Sequence, residues 1–174
     1  MSDTSSFDVN KYMGTWYELV HYPSWFQRND NYNTTAEYTM NCDGSVNVHN
    51  TTMSNGCKFE SCGVACPMGC LAFRVDFPLP EVDKLVATNQ FIKPSDVQKF
   101  KMMCNKDCPN YIIDRIWTNK YGEYIYAIVT DPYKQSLYLL SRVKNPPLQV
   151  YNEIMQYITC NFDRDRLVQT PHYC

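Results

Sequence analysis

Short runs of alternating apolar and polar residues dominate the chain. In Thr15-Trp16-Tyr17-Glu18-Leu19-Val20, Trp16, Glu18 and Val20 share one face and Thr15, Tyr17 and Leu19 the other, the two-residue period of a strand. Residues 33–40 and 45–52 alternate in the same way. Asn41-Cys42-Asp43-Gly44 joins them, and Asp-Gly supplies the positive φ of a tight hairpin. Further strands are predicted over 84–92, 99–103, 111–118, 123–130 and 136–142, with turns at Pro94-Ser95-Asp96 and around Lys120-Tyr121-Gly122. His21 to Thr34 is polar and aromatic and reads as a long loop over one end of the strands. After Pro146-Pro147 the period changes. Val150, Ile154, Met155, Tyr157 and Ile158 recur at helical spacing, which predicts an amphipathic helix of about three turns. Leu167 to Thr170 reads as a last short strand.

Residues 55–80 break this rhythm. Cys57, Cys62, Cys66 and Cys70 crowd the stretch, and Phe77-Pro78-Leu79-Pro80 follows. The expectation is an inserted, cross-linked loop over 57–80, outside the strand framework. Four thiolates can hold zinc, but the C-x2-C knuckle spacing is missing, so disulfides are the better reading. The candidates are Cys42, Cys57, Cys62, Cys66 and Cys70, together with Cys104, Cys108, Cys160 and Cys174. Nine cysteines point to an oxidising compartment, either a secreted fluid or a virion surface. The polar start Met1 to Ser6 is not followed by an apolar leader, so the expected route is either a leader already removed or export by other means. No run is apolar and long enough to span a bilayer as a helix.

At 174 residues the length suits one domain with a substantial core. A net charge of −2 gives no pull toward nucleic acid. Fourteen tyrosines favour strands and supply walls that are apolar with a polar tip. The chemistry of catalysis is thin. His21, His49 and His172 have no second histidine or carboxylate at metal-ligand spacing. There is no G-x-S-x-G elbow, H-E-x-x-H helix or phosphate loop. No metal, cofactor or enzyme activity is expected.

The N-terminal stretch Phe7 to Glu18 carries the most specific signal. Asp8 or Asn10 can cap a single turn, Gly14 allows a sharp bend, and Trp16 enters the first strand. Thr130-Asp131-Pro132 ends a hydrophobic strand, and Arg142 ends the strand Ser136 to Ser141. Lys99-Phe100-Lys101-Met102 reads as a mid-barrel strand. G-x-W, T-D-P and a strand-end arginine in this order resemble the lipocalin family, nearest its apolipoprotein D and bacterial outer-membrane branch. The resemblance spans about residues 7–170, with the cysteine-rich stretch as an unusual insertion. It implies an all-β, eight-stranded up-and-down antiparallel barrel, with the C-terminal helix packed outside. It gives Gly14, Trp16, Thr130, Asp131 and Arg142 structural roles, the guanidinium lying over the Trp16 ring to close the barrel floor.

With Arg142 facing inward by that resemblance, strand parity lays out the inner wall. Tyr138 and Leu140 line it from one strand, and Ile125, Ala127 and Val129 from the next. Tyr38 and Met40 face Val48. Phe91, Phe100 and Met102 follow from the family's inward positions, and Tyr111, Ile113 and Arg115 complete the set. The implied function is binding and transport of a small hydrophobic ligand: a fatty acid, lysolipid, sterol-like molecule or pigment. Arg115 or a tyrosine hydroxyl would meet its polar head. The alternative is a structural or interaction protein, in a virion or at a host surface, docking a protein partner through residues 57–80. Peripheral membrane contact fits either reading.

Overall fold

The computed structural model describes residues 6–24, 30–77 and 108–174. One helical turn, α1 (Val9–Tyr12), opens the chain, and Asp8 caps it by accepting from the Asn10 N–H at 2.9 Å. Eight strands follow: β1 (Gly14–His21), β2 (Tyr32–Met40), β3 (Val46–Ser54), β4 (Cys57–Pro67), β5 (Ala72–Asp76), β6 (Tyr111–Thr118), β7 (Tyr124–Thr130) and β8 (Leu137–Ser141). Each pairs antiparallel with the next, and β8 pairs back onto β1. The ring is closed, and closure removes sticky sheet edges.

Helix α2 (Leu148–Asn161) packs outside the barrel. Its fully buried Ile154 and Ile158 meet Leu19, Val20, Ile128, Leu137 and Leu139 on the outer face of the ring. A two-residue strand, β9 (Val168–Gln169), then pairs with the far end of β1. Direct β1–β2 pairing covers only Gly14 to Tyr17. Beyond it the C-terminal tail takes over: Thr170 N–H donates to Leu19 O at 2.9 Å and Asn33 N–H to Pro171 O at 2.8 Å. The tail therefore sews β1 to β2 at the mouth of the barrel.

The opposite end, the floor, is built by the N-terminal motif. Gly14 sits at φ +95, where an added Cβ would come 3.3 Å from Arg142 Nη1. Trp16 is fully buried, and its indole N–H donates to Tyr12 O at 2.8 Å. The Arg142 guanidinium lies 3.8 Å from the centre of the Trp16 ring. It donates to the carbonyls of Thr15 (2.8 Å), Met13 (2.7 Å), Lys11 (3.1 Å) and Tyr124 (3.4 Å). At the other end of β7, Thr130 Oγ1 donates to Ser136 O at 2.6 Å, while the Asp131 carboxylate accepts from Tyr133 N, Ser136 N and Ser136 Oγ. The five motif residues thus fix the floor and the β7–β8 turn.

The cysteine-rich stretch is not an insertion. Residues 57–67 form β4, whose residues 57–65 pair with the whole of β3, and 72–76 form β5. The hairpin before it is made by Asn55 and Gly56, at φ 51 and φ 75, the two positive values that a type I′ turn needs. Asn-Gly is the signal that locates β4 in the sequence. The alternation within β4 is easy to miss because its inward residues are small. Gly63 faces a wall so close that a Cβ would meet Asp76 O at 2.7 Å and the Phe77 ring at 2.8 Å. Replacing 57–80 by a short turn would therefore delete two barrel strands. The predicted strands over 84–92 and 99–103 lie outside the described residues.

Cys42, Cys57, Cys62, Cys66, Cys70, Cys108, Cys160 and Cys174 are exposed free thiols; Cys104 lies outside the described residues. Strand geometry explains why Cys62 and Cys66 do not cross-link to each other. Cys62 and Cys66 lie on one face of β4, and at about 3.3 Å per residue their Cα atoms are roughly 13 Å apart. A disulfide spans about 4.4–6.8 Å. No disulfide forms among the described residues. Replacing Cys62 and Cys66 together with serine is expected to move unfolding stability by less than about 0.5 kcal/mol, as at other exposed positions. Urea denaturation checks this, and a loss of several kcal/mol would restore the disulfides.

Candidate functional site

The barrel interior is lined largely as strand parity predicts. Tyr38, Val48, Ile113, Ala127, Val129 and Leu140 are buried in one interior cluster, with Met40, Tyr111 and Tyr138 packed against it. Near the floor the aromatic side chains form a layer. The Tyr111 hydroxyl lies 2.7 Å from that of Tyr12 and 2.9 Å from that of Tyr38. Tyr12 stacks on Tyr38, and Phe73 meets Tyr111 edge-on. A cavity of about 20 Å³ remains between Tyr12, Tyr38, Tyr111, Val48, Ala65 and Phe73, room for about one water. The lower barrel is therefore a packed core. Burial pushes the Tyr38 hydroxyl up to about 12, and burial raises Tyr12 and Tyr111 well above the usual phenol range.

Arg115 does not reach this interior. Its guanidinium lies outside, 5.4 Å from the Trp117 ring and 5.3 Å from that of Tyr157 on α2. The pairing of β6 with β7 shifts register between Ile113 and Arg115. A bulge takes one extra residue, so the residues beyond it change faces. Asp114 accordingly accepts from the Tyr157 hydroxyl at 2.7 Å, and Ile116 takes the inward place. A second shift between Trp117 and Thr118 puts Ile125 against the helix side instead of the interior. Phe91, Phe100 and Met102 lie outside the described residues.

The inner wall also holds a polar group that strand alternation conceals. The β1–β8 register shifts between Glu18 and Val20, with Glu18 opposite Leu140 and His21 opposite Tyr138. Because directly paired residues share a face, Glu18 and His21 both point inward although three positions apart. Val20 moves to the helix side. His21 Nδ1 lies 2.7 Å from Glu18 Oε1 and 2.9 Å from Thr170 Oγ1. Thr170 Oγ1 donates to the same carboxylate oxygen at 2.6 Å. All three side chains are buried, and His21 Nε2 has no hydrogen-bond partner among the described residues. An unsatisfied buried polar atom costs about 1–3 kcal/mol. Burial first, then the charges of Glu18 and Asp131, raise the Tyr138 hydroxyl across from this group. Among the described residues no group of side chains is arranged to hold a metal ion, and no helix is long and apolar enough to cross a membrane.

The barrel and its external helix have parallels among known proteins. The lipocalin-like domain family matches residues 7–92. Temperature-induced lipocalin-1 of Arabidopsis thaliana is 27% identical over 172 residues, covering 98% of this chain and 82% of that protein. The putative lipocalin R877 of Acanthamoeba polyphaga mimivirus is 29% identical over 154 residues, covering 88% and 78%. These matches support the lipocalin family. The fold agrees: a solved structure of the cockroach allergen Per a 4 superposes with a TM-score of 0.62 at 15% identity, over 99% of this chain and 94% of that one.

The buried tyrosines of this barrel tie stability to alkaline pH. A phenol whose pKa is raised by folding contributes stability that is fully present below its unfolded value near 10. That stability is lost as pH rises through the folded value. Stability should therefore fall between about pH 10 and 12, by up to about 1.4 kcal/mol per pH unit for each such tyrosine. Tyr38→Phe should make that fall shallower, and urea titrations at several pH values measure the slope.

Proposed function

We propose that this protein binds one small hydrophobic molecule inside the barrel, above the tyrosine layer, and carries it. The observation behind the reading is the inner wall itself: sealed at the floor by Trp16 and Arg142 and lined by apolar and aromatic side chains. Eight strands make a barrel wide enough to hold one small ligand. Burial of apolar surface, at about 25 cal/mol per Å², drives such binding. Since the lower barrel is packed, the ligand sits toward the mouth, with Tyr138, Val129 and Ile113 on its wall. The names of the two relatives, both lipocalins, agree with a carrier. The motifs G-x-W, T-D-P and Arg142 resemble those of the apolipoprotein D and bacterial branch, and that resemblance supports the same reading. Fatty acids, lysolipids, sterol-like molecules and pigments are the ligand classes of this reading.

One observation favours a second reading, a scaffold that meets a protein partner through the cysteine-rich strand. Val64 and Met68 are 41% and 38% exposed beside the exposed thiols of Cys62 and Cys66.

The carrier reading is tested with Nile red, an uncharged lipophilic dye that brightens in apolar surroundings. One dye per chain is expected. Tyr138→Asp buries a charge in the wall and should weaken binding at least tenfold, whereas Tyr133→Asp, at an exposed position, should leave it unchanged. Equal binding by both variants would move the site off the interior.

A further inference from the structure

The hydrogen bonds of His21 fix its tautomer. The Glu18 carboxylate can only accept, and the Thr170 hydroxyl directs its proton to Glu18 Oε1. The proton shared with both must therefore sit on His21 Nδ1. In its neutral form an imidazole held this way leaves Nε2 with a lone pair and no proton. That lone pair is buried and, among the described residues, unpartnered. It belongs to a residue paired with Tyr138, which packs into the interior cluster. The barrel wall thus offers an oriented acceptor in largely apolar surroundings.

We propose that His21 Nε2 is the acceptor for the ligand's head group, and that the ligand is an uncharged lipophilic alcohol whose hydroxyl donates to it. The inference rests on the carrier reading and narrows it. A ligand must bring a donor, since an acceptor would face a lone pair. The carboxylate of Glu18 beside the imidazole disfavours an anionic head such as that of a fatty acid, because like charges repel strongly where water is excluded. A cationic head would have to leave water for an apolar cavity, and Glu18 Oε1 is already approached by two donors. An uncharged hydroxyl satisfies Nε2 without either penalty. Glu18 and Thr170 act as positioning residues: they hold the tautomer and aim the ring.

The test uses the whole protein loaded with Nile red, displaced by three probes: 1-dodecanol, its isomer undecyl methyl ether, and laurate. The ether keeps the carbon count and the oxygen but has no proton to donate. The alcohol should displace the dye at least tenfold more tightly than either of the others. In His21→Phe the advantage over the ether should shrink to within about twofold. A long-range proton–nitrogen NMR spectrum of the wild-type protein gives an independent reading. The His21 Nε2 resonance should move on addition of dodecanol and stay put with the ether, a result that stands even if the variant fails to fold. Equal displacement by alcohol and ether, tighter binding of laurate, or an Nε2 resonance unmoved by bound dodecanol would each overturn the head-group assignment and leave the carrier reading intact. If none of the three probes displaces the dye, the carrier reading itself fails.

Discussion

The barrel depends on one guanidinium. Arg142 lies flat on Trp16 and gathers four carbonyls from α1, the start of β1 and the start of β7. Each hydrogen bond to a charged group contributes about 1.5–3 kcal/mol, and a ring-stacked cation adds about 0.5–2 kcal/mol. The larger consequence is geometric. A closed ring requires the last strand to return to the first, and Arg142 stands where β8 ends beside β1. Gly14 is tied to the same point, since its positive φ lets the chain turn under the guanidinium. Once that corner is set, the alternation of the remaining strands decides which side chains fill the ring and which meet α2.

The motifs that set the corner were readable in the sequence because each needs one residue type at one place. The interior was readable for a related reason: parity holds wherever a strand is regular, so Tyr38, Val48, Ala127, Val129, Tyr138 and Leu140 all fall inside. Parity fails where an extra residue is taken up. The shift after Glu18 turns His21 inward, the one after Ile113 turns Arg115 outward, and the one near Thr118 turns Ile125 outward. A bulge is a compromise between neighbouring strands, so neither strand announces it alone. The Glu18–His21 pair was invisible for this reason, since regular alternation puts the two residues on opposite faces.

The cysteine-rich strand escaped for a different reason. Its inward positions, Ser61, Gly63 and Ala65, are too small to register as a hydrophobic face. They are small because Phe77 packs against Gly63 and Phe73 joins the tyrosine layer. Size is complementary across the barrel, and one strand's deficit is another's aromatic ring. The same trade leaves the floor half of the ring filled, which is why the proposed ligand is assigned to the mouth, beside Tyr138 and the buried histidine.

The most direct measurement is an NMR experiment on methyl-labelled protein saturated with 1-dodecanol. Nuclear Overhauser contacts are expected from the dodecanol chain to the inward methyls of Val129 and Ile113, and none to Ile154 and Ile158 beneath the helix. Contacts confined to the helix side, or an absence of contacts to Val129 and Ile113 with dodecanol bound, would contradict a ligand inside the barrel.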